Sequence, residues 1–368
     1  MSIITYYLGA GASANCIPVN NDIPTAVDNF AKNFIYNSGR FKSKGLDLFK
    51  LESDINAFAA NVRSNPTVDI FAKKLFLQGE PLLYWFKNCL ELFFLYCQHI
   101  NPPDYRYEFF IASFINHGEG VPLLNENVKV ITWNYDNQIE LAYSRYINAS
   151  TNSSFPMLQK WLKIYPFYNS ENKDRINLQD YSIVKLNGGV GLQKVMHQNY
   201  FYDRDRVIWD IGFEKNKRSL LAENHMFIIP DHIMHVLLDY YINYVGERIT
   251  PENLNFTYSW EGEKVSDNSK NIAEHIANQT EILIFLGYSF PFVNSQVDND
   301  ILSNMKNVKY IYIQDYSGND DIYLSIENRL NQLFEQRVQR EGRKYEKYPQ
   351  IRRIKFTNEF YIPPDLQI

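Results

Sequence analysis

The segment that most constrains the fold is a short apolar strand pattern that runs into a glycine-rich loop. Ile4–Leu8 (ITYYL) is followed without interruption by Gly9–Ser13 (GAGAS). β-Branched and aromatic residues favour a buried parallel strand, and the glycines allow a tight turn and close approach of the backbone to a ligand. If a helix follows, its N–H groups would face an anion such as a pyrophosphate. Because the third glycine of the usual dinucleotide fingerprint is missing, this loop alone fits a nucleotide loop and an ordinary strand–helix turn equally well.

The composition is that of a globular chain with a large core. Of its 368 residues, 45% are hydrophobic and 21% are charged, which excludes a disordered chain. The net charge is −5 and no segment is a dense block of Lys and Arg, so direct binding of nucleic acid is not expected. The 27 Tyr and 25 Phe residues leave two interpretations open, a compositional habit of the genome or aromatic side chains that form interfaces.

The cysteines and the longest apolar stretch indicate the environment of the protein. Cys16, Cys89 and Cys97 form neither a C-x-x-C pair nor an even set, so neither a zinc ribbon nor a disulfide framework is expected. The first strand pattern begins at Ile3 and leaves no room for a signal peptide. Pro81–Ile100 is apolar but carries charged and polar residues around its circumference, which a membrane-spanning helix does not tolerate. We therefore expect a cytoplasmic, reduced protein with no membrane segment and no zinc.

The order of the predicted elements indicates an α/β sheet interrupted by a block of helices. Helical spacing of apolar residues covers Pro24–Phe34, and only helices are predicted between residues 40 and 125. We therefore predict an α/β fold with a Rossmann-like, mostly parallel sheet and a helical insertion between its first two strands. Residues 1–39 and 126–368 would form the nucleotide-binding domain, and residues 40–125 the helical insertion module. The later strand patterns are Val128–Thr132, Tyr181–Leu186, Met226–Ile229, Glu281–Leu286 and Val308–Ile313.

A run of basic residues lies near the end of the sequence. It follows a predicted helix from Ile322 to about Arg340 and includes Arg352 and Arg353. Such a run is most often a solvated helix face, and docking of a partner protein or nucleic acid is the alternative.

Four predicted strands end in small or polar residues. GAGAS follows the first strand, and the others end in TWNYD (residues 132–136), KLNGG (185–189) and LGYSF (286–290). The carboxyl ends of parallel strands lie at one edge of a sheet, where α/β proteins bind ligands. These four strand tips are therefore predicted to face one crevice.

In this order, the four motifs resemble those of the sirtuin-like family. GAGAS followed by Cys16–Pro18 is similar to the family's phosphate and ribose loop, and TWNYD is similar to the motif whose Asn and Asp contact the nicotinamide riboside. KLNGG stands where the family has K-L-H-G, and LGYSF resembles the motif beside the adenosine ribose. The helical insertion and the missing zinc ribbon most resemble the NAD-hydrolysing sirtuin-like proteins of prokaryotic antiviral defence.

The resemblance implies a binding site for NAD+ or ADP-ribose and a role for each matching residue. Asn134 would hold the nicotinamide ribose, and Asp136 would bind the carboxamide or stabilise the charge that develops as the glycosidic bond breaks. Asn187 takes the catalytic position after the third strand. Capping of the next helix by Asn134 and Asp136 is the alternative. The residues implied to bind the cofactor are Gly9, Ala10, Gly11, Ser13, Thr132, Asn134, Asp136, Gly287, Ser289 and Asp315.

Two departures from the family pattern bear on activity. Three scattered cysteines cannot build the zinc ribbon of the deacetylase branch, so protein deacylation is not expected. The family's catalytic His is replaced by Asn187, whose amide cannot act as a general base near pH 7, and loss of such a base typically costs ~10²–10⁴-fold in rate. Turnover would need water oriented by Asn134 and Asp136, or a recruited base such as His197, and without a His it would depend weakly on pH.

The resemblance implies hydrolysis of NAD+ to ADP-ribose and nicotinamide by an effector of antiviral defence. Since constant activity would poison the cell, gating is expected from a ligand, a homo-oligomer or a hetero-complex with a genetically neighbouring defence protein. Asn187 motivates one alternative, a catalytically silent NAD+- or ADP-ribose-binding subunit or sensor. A pyridine-nucleotide oxidoreductase is a further alternative, weakened by the missing third glycine and the lack of an evident substrate domain.

Overall fold

The computed structural model describes residues 2–19, 21–44, 46–101, 104–116, 122–147, 158, 161–166, 180–190, 226–246, 257–262, 264–315, 319–341, 348–356 and 358–366. The described residues fold as two compact units. The sheet unit comprises those within 1–12, 104–188 and 257–368, and the helical unit those within 13–103 and 189–256. The predicted boundaries place residues 13–39 and 189–256 with the sheet and residues 104–125 with the helical module. The described residues of the first two ranges lie instead in the helical unit, and those of the third lie in the sheet unit.

A parallel seven-stranded sheet organises the sheet unit, as the sequence predicts. Its order is β5-β6-β4-β1-β7-β8-β9, and every neighbouring pair is parallel. All residues of β1, β4 and β7 are buried, which explains their nearly continuous apolar sequences. The strands are β1 (Ile4–Leu8), β4 (Val128–Thr132), β5 (Ile164–Tyr165), β6 (Ser182–Lys185), β7 (Ile282–Leu286), β8 (Tyr310–Gln314) and β9 (Gln350–Ile354), with a separate hairpin of β2 (Ile115–Asn116) and β3 (Leu123–Leu124).

Three of the described helices begin at a capping side chain. Asp47, Thr67 and Asp104 each accept a hydrogen bond from a backbone N–H in the first turn of α2, α3 and α5. The helices are α1 (Ile23–Ser38), α2 (Leu48–Arg63), α3 (Val68–Gln78), α4 (Leu82–Ile100), α5 (Tyr105–Ala112), α6 (Gln138–Ser144), α7 (Asp231–Tyr240), α8 (Lys264–Gln279), α9 (Ser295–Ser303) and α10 (Asp320–Glu341).

The strand order reverses at β1. From β1 the chain adds β4 and β6 on one side, and it later adds β7, β8 and β9 on the other. Leu8 is paired with Thr132 on β4 and with Leu286 on β7, so the loops after these three strands begin side by side. Ligands bind at such a switch point in α/β sheets, beyond the carboxyl ends of the strands.

The two faces of the sheet have separate cores. Neighbouring residues of a strand point to opposite faces, and β1 shows this with two tyrosines. Tyr7 packs in a cluster with Phe285 and apolar side chains of α8, α9 and α10. On the other face, the Tyr6 ring meets the Phe110 ring of α5 edge-on, with 4.8 Å between the ring centroids. The sheet is therefore covered by helices on both faces.

Helix α4 accounts for the long apolar stretch of the sequence. All of its residues from Trp85 to Ile100 are buried, including Lys87 and Glu91, one turn apart. It lies in the helical unit beside α1, α2, α3 and α7. In the described part of the chain, no helix is both long and apolar enough to cross a membrane.

The segment 226–230 does not join the sheet, so the predicted strand over Met226–Ile229 is wrong. Side-chain amides of α1 take the place of a neighbouring strand. Phe227 N donates to Asn33 Oδ1 and Ile229 N to Asn37 Oδ1, each at 3.0 Å, while Asn37 Nδ2 donates to Phe227 O at 3.0 Å. Asn33 and Asn37 are one helical turn apart and share a face of α1. The backbone N–H and carbonyl groups of this strand-like segment are thus hydrogen-bonded although the segment is not part of a sheet.

The edge strand β9 contains basic residues that the sequence placed on a solvated helix face. That prediction is wrong for Arg352 and Arg353. The guanidinium of Arg352 lies 5.5 Å from the Tyr310 ring centroid, and that of Arg353 lies 4.9 Å from the Tyr323 ring centroid. Arg353 also pairs with Asp320. Stacking on aromatic rings lets charged side chains occupy an edge strand.

We expect Asn37→Ala to lower the free energy of unfolding by about 1–3 kcal/mol, because the Phe227 carbonyl and the Ile229 N–H lose their partner. Asn61→Ala is the matched control, since the Asn61 amide is exposed and bonds only the Ala57 carbonyl in its own helix among the contacts described. It should change the free energy by less than about 0.5 kcal/mol. Urea denaturation measures both, and equal effects of the two substitutions would contradict the role of Asn37.

Candidate functional site

Backbone hydrogen bonds join the loops that follow β1 and β7. Gly9 N donates to Leu286 O at 3.0 Å, and Gly11 N donates to Gly287 O at 2.9 Å. Gly287 N in turn donates to Gln314 O, at the end of β8, at 3.0 Å. The hydrogen-bond ladder of the sheet therefore continues past the strand ends into both loops.

The glycines at this junction leave no room for a side chain. A Cβ on Gly11 would lie 2.8 Å from Gly287 Cα, and a Cβ on Gly9 would lie 2.5 Å from Cδ2 of Tyr288. Gly287 has a φ of +57°, and a Cβ there would lie 2.3 Å from Ala12 N. Contact between the two loops therefore requires glycine at all three positions, whether or not a ligand binds.

This geometry does not fit the predicted role of Gly9 and Gly11 as pyrophosphate donors. Their N–H groups already donate to carbonyls of the β7 loop, and Ala12 N donates to Gly9 O. Ala10 is exposed at the turn of the loop, where it can contact a ligand. Ser13 ends the 3₁₀ turn Ala10–Ser13, is buried and belongs to the helical unit.

A buried ion pair supports the β1 loop. Arg106 Nη2 donates to Ala12 O at 2.9 Å, and Arg106 Nε donates to the Asp104 carboxylate oxygens at 3.0 and 2.8 Å. Asp104 N donates to Gln138 Oε1 at 2.9 Å, which links the pair to α6. Both charged side chains are buried, so loss of either would leave an uncompensated charge. No sequence pattern indicated that Asp104 and Arg106 support the site. Asp104 carries only the signal of a helix cap.

Asn134, at the end of β4, contacts the β1 loop directly. Its Nδ2 donates to Gly9 O at 3.0 Å, and its backbone N–H donates to Thr132 Oγ1 at 3.0 Å. The residue is only 8% exposed. The side chain thus joins two of the four predicted motifs, and the bond to Gly9 is not the helix-capping contact considered as its alternative.

Asp136 is held at the start of α6 by a buried lysine. Asp136 Oδ1 accepts a hydrogen bond from Gln138 N at 3.1 Å, so the capping alternative describes this residue. Lys185 Nζ donates to Asp136 O at 2.8 Å and to Asn137 Oδ1 at 3.0 Å, and it lies 2.5 Å from Glu140 Oε1. Burial raises the pKa of the Glu140 carboxyl, and Lys185 opposes that shift. The only sequence signal for this pair was a lysine that ends an apolar strand.

Both ends of the Asn187 amide bond to backbone groups. Nδ2 donates to Trp133 O at 3.3 Å, and Oδ1 accepts from Ser259 N at 3.0 Å. The Asn187 carbonyl also accepts from Thr257 N at 3.2 Å. Asn187 therefore connects the ends of β4 and β6 with the segment 257–262. His197, the base considered as a substitute, lies outside the described residues.

The segment 257–262 adds aromatic side chains that the sequence analysis did not single out. The Tyr258 ring stacks on the Trp260 ring, with 4.5 Å between the centroids, and meets the Tyr135 ring edge-on, with 6.4 Å between the centroids. Tyr135 and Trp260 are partly exposed, whereas Tyr258 is buried. The segment therefore places aromatic surface beside the TWNYD motif.

Ser289 and Asp315 lie at the same edge of the sheet, beyond β7 and β8. Ser289 is exposed and Asp315 is partly buried. Phe290 follows Ser289 and packs in the core cluster, and its φ of +55° is rare for a residue with a side chain. Such backbone strain is common at ligand sites. The described structure thus gathers all the predicted site residues except Ser13 at one edge of the sheet unit.

The described residues contain no group of three or more His, Cys, Asp or Glu side chains that could hold a metal ion. Cys16, Cys89 and Cys97 are buried thiols in the helical unit. The expected absence of zinc stays a prediction, which elemental analysis of the purified protein would test.

No family model matches the chain, and no curated protein matches it. Its own residues and their geometry therefore carry the functional inference.

We expect Gly287→Ala to lower the free energy of unfolding by about 3 kcal/mol or more, since the new Cβ would overlap the backbone of the β1 loop. Gly262→Ala is the matched control, because Gly262 also has a positive φ, of +70°, but no atom lies within 4 Å of its added Cβ. That control should cost only about 1 kcal/mol, for the left-handed backbone. Urea denaturation distinguishes the two, and equal stability of the variants would contradict the loop contact.

Proposed function

We propose that the protein hydrolyses NAD+ to ADP-ribose and nicotinamide at the C-terminal edge of its sheet. The observation that carries the proposal is the 3.0 Å hydrogen bond from Asn134 Nδ2 to Gly9 O, at the switch point of the strand order. The sirtuin-like resemblance assigns Asn134 to the nicotinamide ribose and the β1 loop to the phosphates. This hydrogen bond holds the two side by side. A ligand that touches both motifs would carry a ribose and a diphosphate, as NAD+ does.

The proposed reaction needs stabilisation of positive charge on the ribose. The bond from ribose C1′ to the pyridinium nitrogen breaks, and nicotinamide leaves with the electron pair. A water oxygen bonds to C1′ and releases its proton to solvent. The Asn134 amide would orient the ribose, and the Asp136 carboxylate would stabilise the developing charge and align the water. Lys185 and Glu140 act on the reaction only by fixing the backbone of Asp136.

The main alternative is a silent NAD+- or ADP-ribose-binding subunit of a defence complex. The observation that favours it is the engagement of the Asn187 amide by Trp133 O and Ser259 N. An amide has no group that takes up a proton near pH 7, so Asn187 cannot act as a general base, and both ends of its side chain are already bonded to the backbone.

A gated effector in the cytoplasm is the proposed context. An NAD+ hydrolase that worked at all times would deplete its own cell, so the activity would depend on a ligand, on a homo-oligomer or on a complex with a genetically neighbouring defence protein. Light scattering with and without that neighbour would test assembly, and a strict monomer under all conditions would contradict this part of the proposal.

We expect Asn134→Ala to lower the rate of NAD+ hydrolysis by about 100-fold or more, because it removes an oriented amide at the reacting ribose. Asn307→Ala is the control, since the Asn307 side chain is exposed and donates to Asn278 O before the starts of β7 and β8, at the opposite edge of the sheet from the candidate site. Nicotinamide release is measured by chromatography, with and without the neighbouring gene product, and thermal denaturation confirms that the variants fold.

The outcomes separate the candidate functions. An active wild type with an equally active Asn134→Ala variant would contradict the proposed mechanism. An inactive wild type that binds ADP-ribose, together with activity gained by Asn187→His, would establish the silent subunit instead. Absence of both hydrolysis and ADP-ribose binding would contradict both functions.

A further inference from the structure

A buried carboxylate lies behind the loops of the candidate site. Asp298, on α9, is fully buried in the sheet unit. Its Oδ1 accepts a hydrogen bond from Tyr7 Oη at 2.6 Å, and Tyr288 Oη lies within hydrogen-bond distance of both oxygens, 2.8 Å from Oδ2 and 3.0 Å from Oδ1. Trp133 Nε1 donates to Tyr7 Oη at 3.1 Å, and Asn294 Nδ2 donates to Tyr288 Oη at 3.3 Å. We call these five residues the Asp298 cluster.

Three members of the Asp298 cluster are next to, or two residues from, the candidate site in the sequence. Tyr7 precedes Gly9 by two residues, Trp133 precedes Asn134, and Tyr288 precedes Ser289. The Trp133 and Tyr288 rings are nearly parallel, with centroids 6.1 Å apart. A shift of the Asp298 carboxylate would therefore act on residues at the ends of β1, β4 and β7.

We propose that Asp298 is the positioning residue of the candidate site, and that its carboxylate, acting through Tyr7 and Tyr288, sets the affinity of the site for ADP-ribose. This inference rests on the proposed function, because it assumes that ADP-ribose binds at this edge of the sheet. Asp298 itself would touch no ligand.

Protonation of Asp298 would change the hydrogen bonds of the Asp298 cluster. An ionised carboxylate accepts on both oxygens, whereas a protonated one has an O–H on one of them, so a proton on Oδ2 would remove the acceptor for the 2.8 Å contact with Tyr288. Burial raises the pKa of Asp298 to about 7, and the hydrogen bonds from Tyr7 and Tyr288 and the charge of Arg329 oppose the shift. The loops should therefore be held as described above about pH 7 and loosened below it.

The neighbouring elements supply the other charges around Asp298. From α10, Arg329 acts on Asp298 and also lies over the Phe290 ring, with 5.4 Å between its Cζ and the ring centroid. On α8, Lys270 pairs instead with Asp300, at 2.5 Å. Asp300 is on the same helix as Asp298 and is partly exposed, so it serves as a matched control.

Stability and binding should respond to pH in opposite directions. The native pKa of Asp298 lies above the 3.8 of an ordinary aspartate, so the folded protein binds the extra proton between about pH 4 and 7. The contribution of Asp298 to stability is therefore greatest at low pH and falls as the pH rises to about 7. Affinity for ADP-ribose should rise over the upper part of that range, a combination that a merely structural carboxylate would not produce.

The test is titration of ADP-ribose by calorimetry at pH 6 and pH 8. Between these values the ionised fraction of a group with a pKa of about 7 rises about tenfold, so wild type should bind up to about tenfold more tightly at pH 8. Asp298→Asn has no charge and places an NH2 donor where one carboxylate oxygen lies, so its affinity should be weak and equal at both pH values. Asp300→Asn should behave as wild type.

A second measurement reports on the cluster without a ligand. With 5-fluorotryptophan incorporated, the fluorine resonance of Trp133, assigned by its loss in Trp133→Phe, should titrate with a midpoint near pH 7 in wild type and not in Asp298→Asn. Titration of this resonance with equal wild-type affinity at both pH values would overturn the positioning role and leave the proposed function standing. No ADP-ribose binding to any variant would instead overturn the proposed function and this inference with it.

Discussion

The contact between Gly11 and Gly287 is the constraint on which the C-terminal edge of the sheet depends. The two backbones approach so closely that a Cβ on Gly11 would lie 2.8 Å from Gly287 Cα. Because β1 is the central strand and its loop bonds to the β7 loop, the two halves of the sheet are joined at their switch point. Asn134 then bonds to Gly9, so the β4 loop takes its position from the same junction.

Buried charges lie behind each of these loops. Asp104 and Arg106 support the β1 loop, Lys185 and Glu140 fix the loop after β4, and Asp298 joins the ends of β1 and β7. Burial of a charge costs more than an apolar side chain would at the same place, so such groups are weak evidence for stability alone. All of these groups lie next to the loops at the C-terminal ends of the strands. We explain this position by the need to hold polar loops in one arrangement, as a preorganised site requires, rather than by a gain in stability.

The sequence predicted the parts of the fold that local patterns encode. Apolar runs ending in glycine or polar residues identified β1, β4, β6 and β7 and the edge at which they end. The same reasoning failed for Met226–Ile229, because an extended pattern does not reveal whether its partner is a strand or, as here, the Asn33 and Asn37 amides. It also failed for β9, where aromatic rings accommodate two arginines.

In the candidate site too, some residues could be predicted from local sequence patterns and others could not. Its strand-end residues could be predicted, since parallel strands end at a common edge. Their supports could not, because Arg106, Asp298 and Ser259 reach the site through contacts between residues distant in sequence. The glycine pattern predicted a tight turn after β1, but the atoms that these glycines accommodate belong to the β7 loop, which no short motif could reveal.

A crystal structure of the protein soaked with ADP-ribose tests the central claim most directly. The expected result is density for ADP-ribose at the C-terminal edge of the sheet, with a ribose hydroxyl within hydrogen-bond distance of Asn134 and the diphosphate beside Ala10. Ordered ADP-ribose at another surface, with the edge beyond β1, β4 and β7 empty, would contradict it.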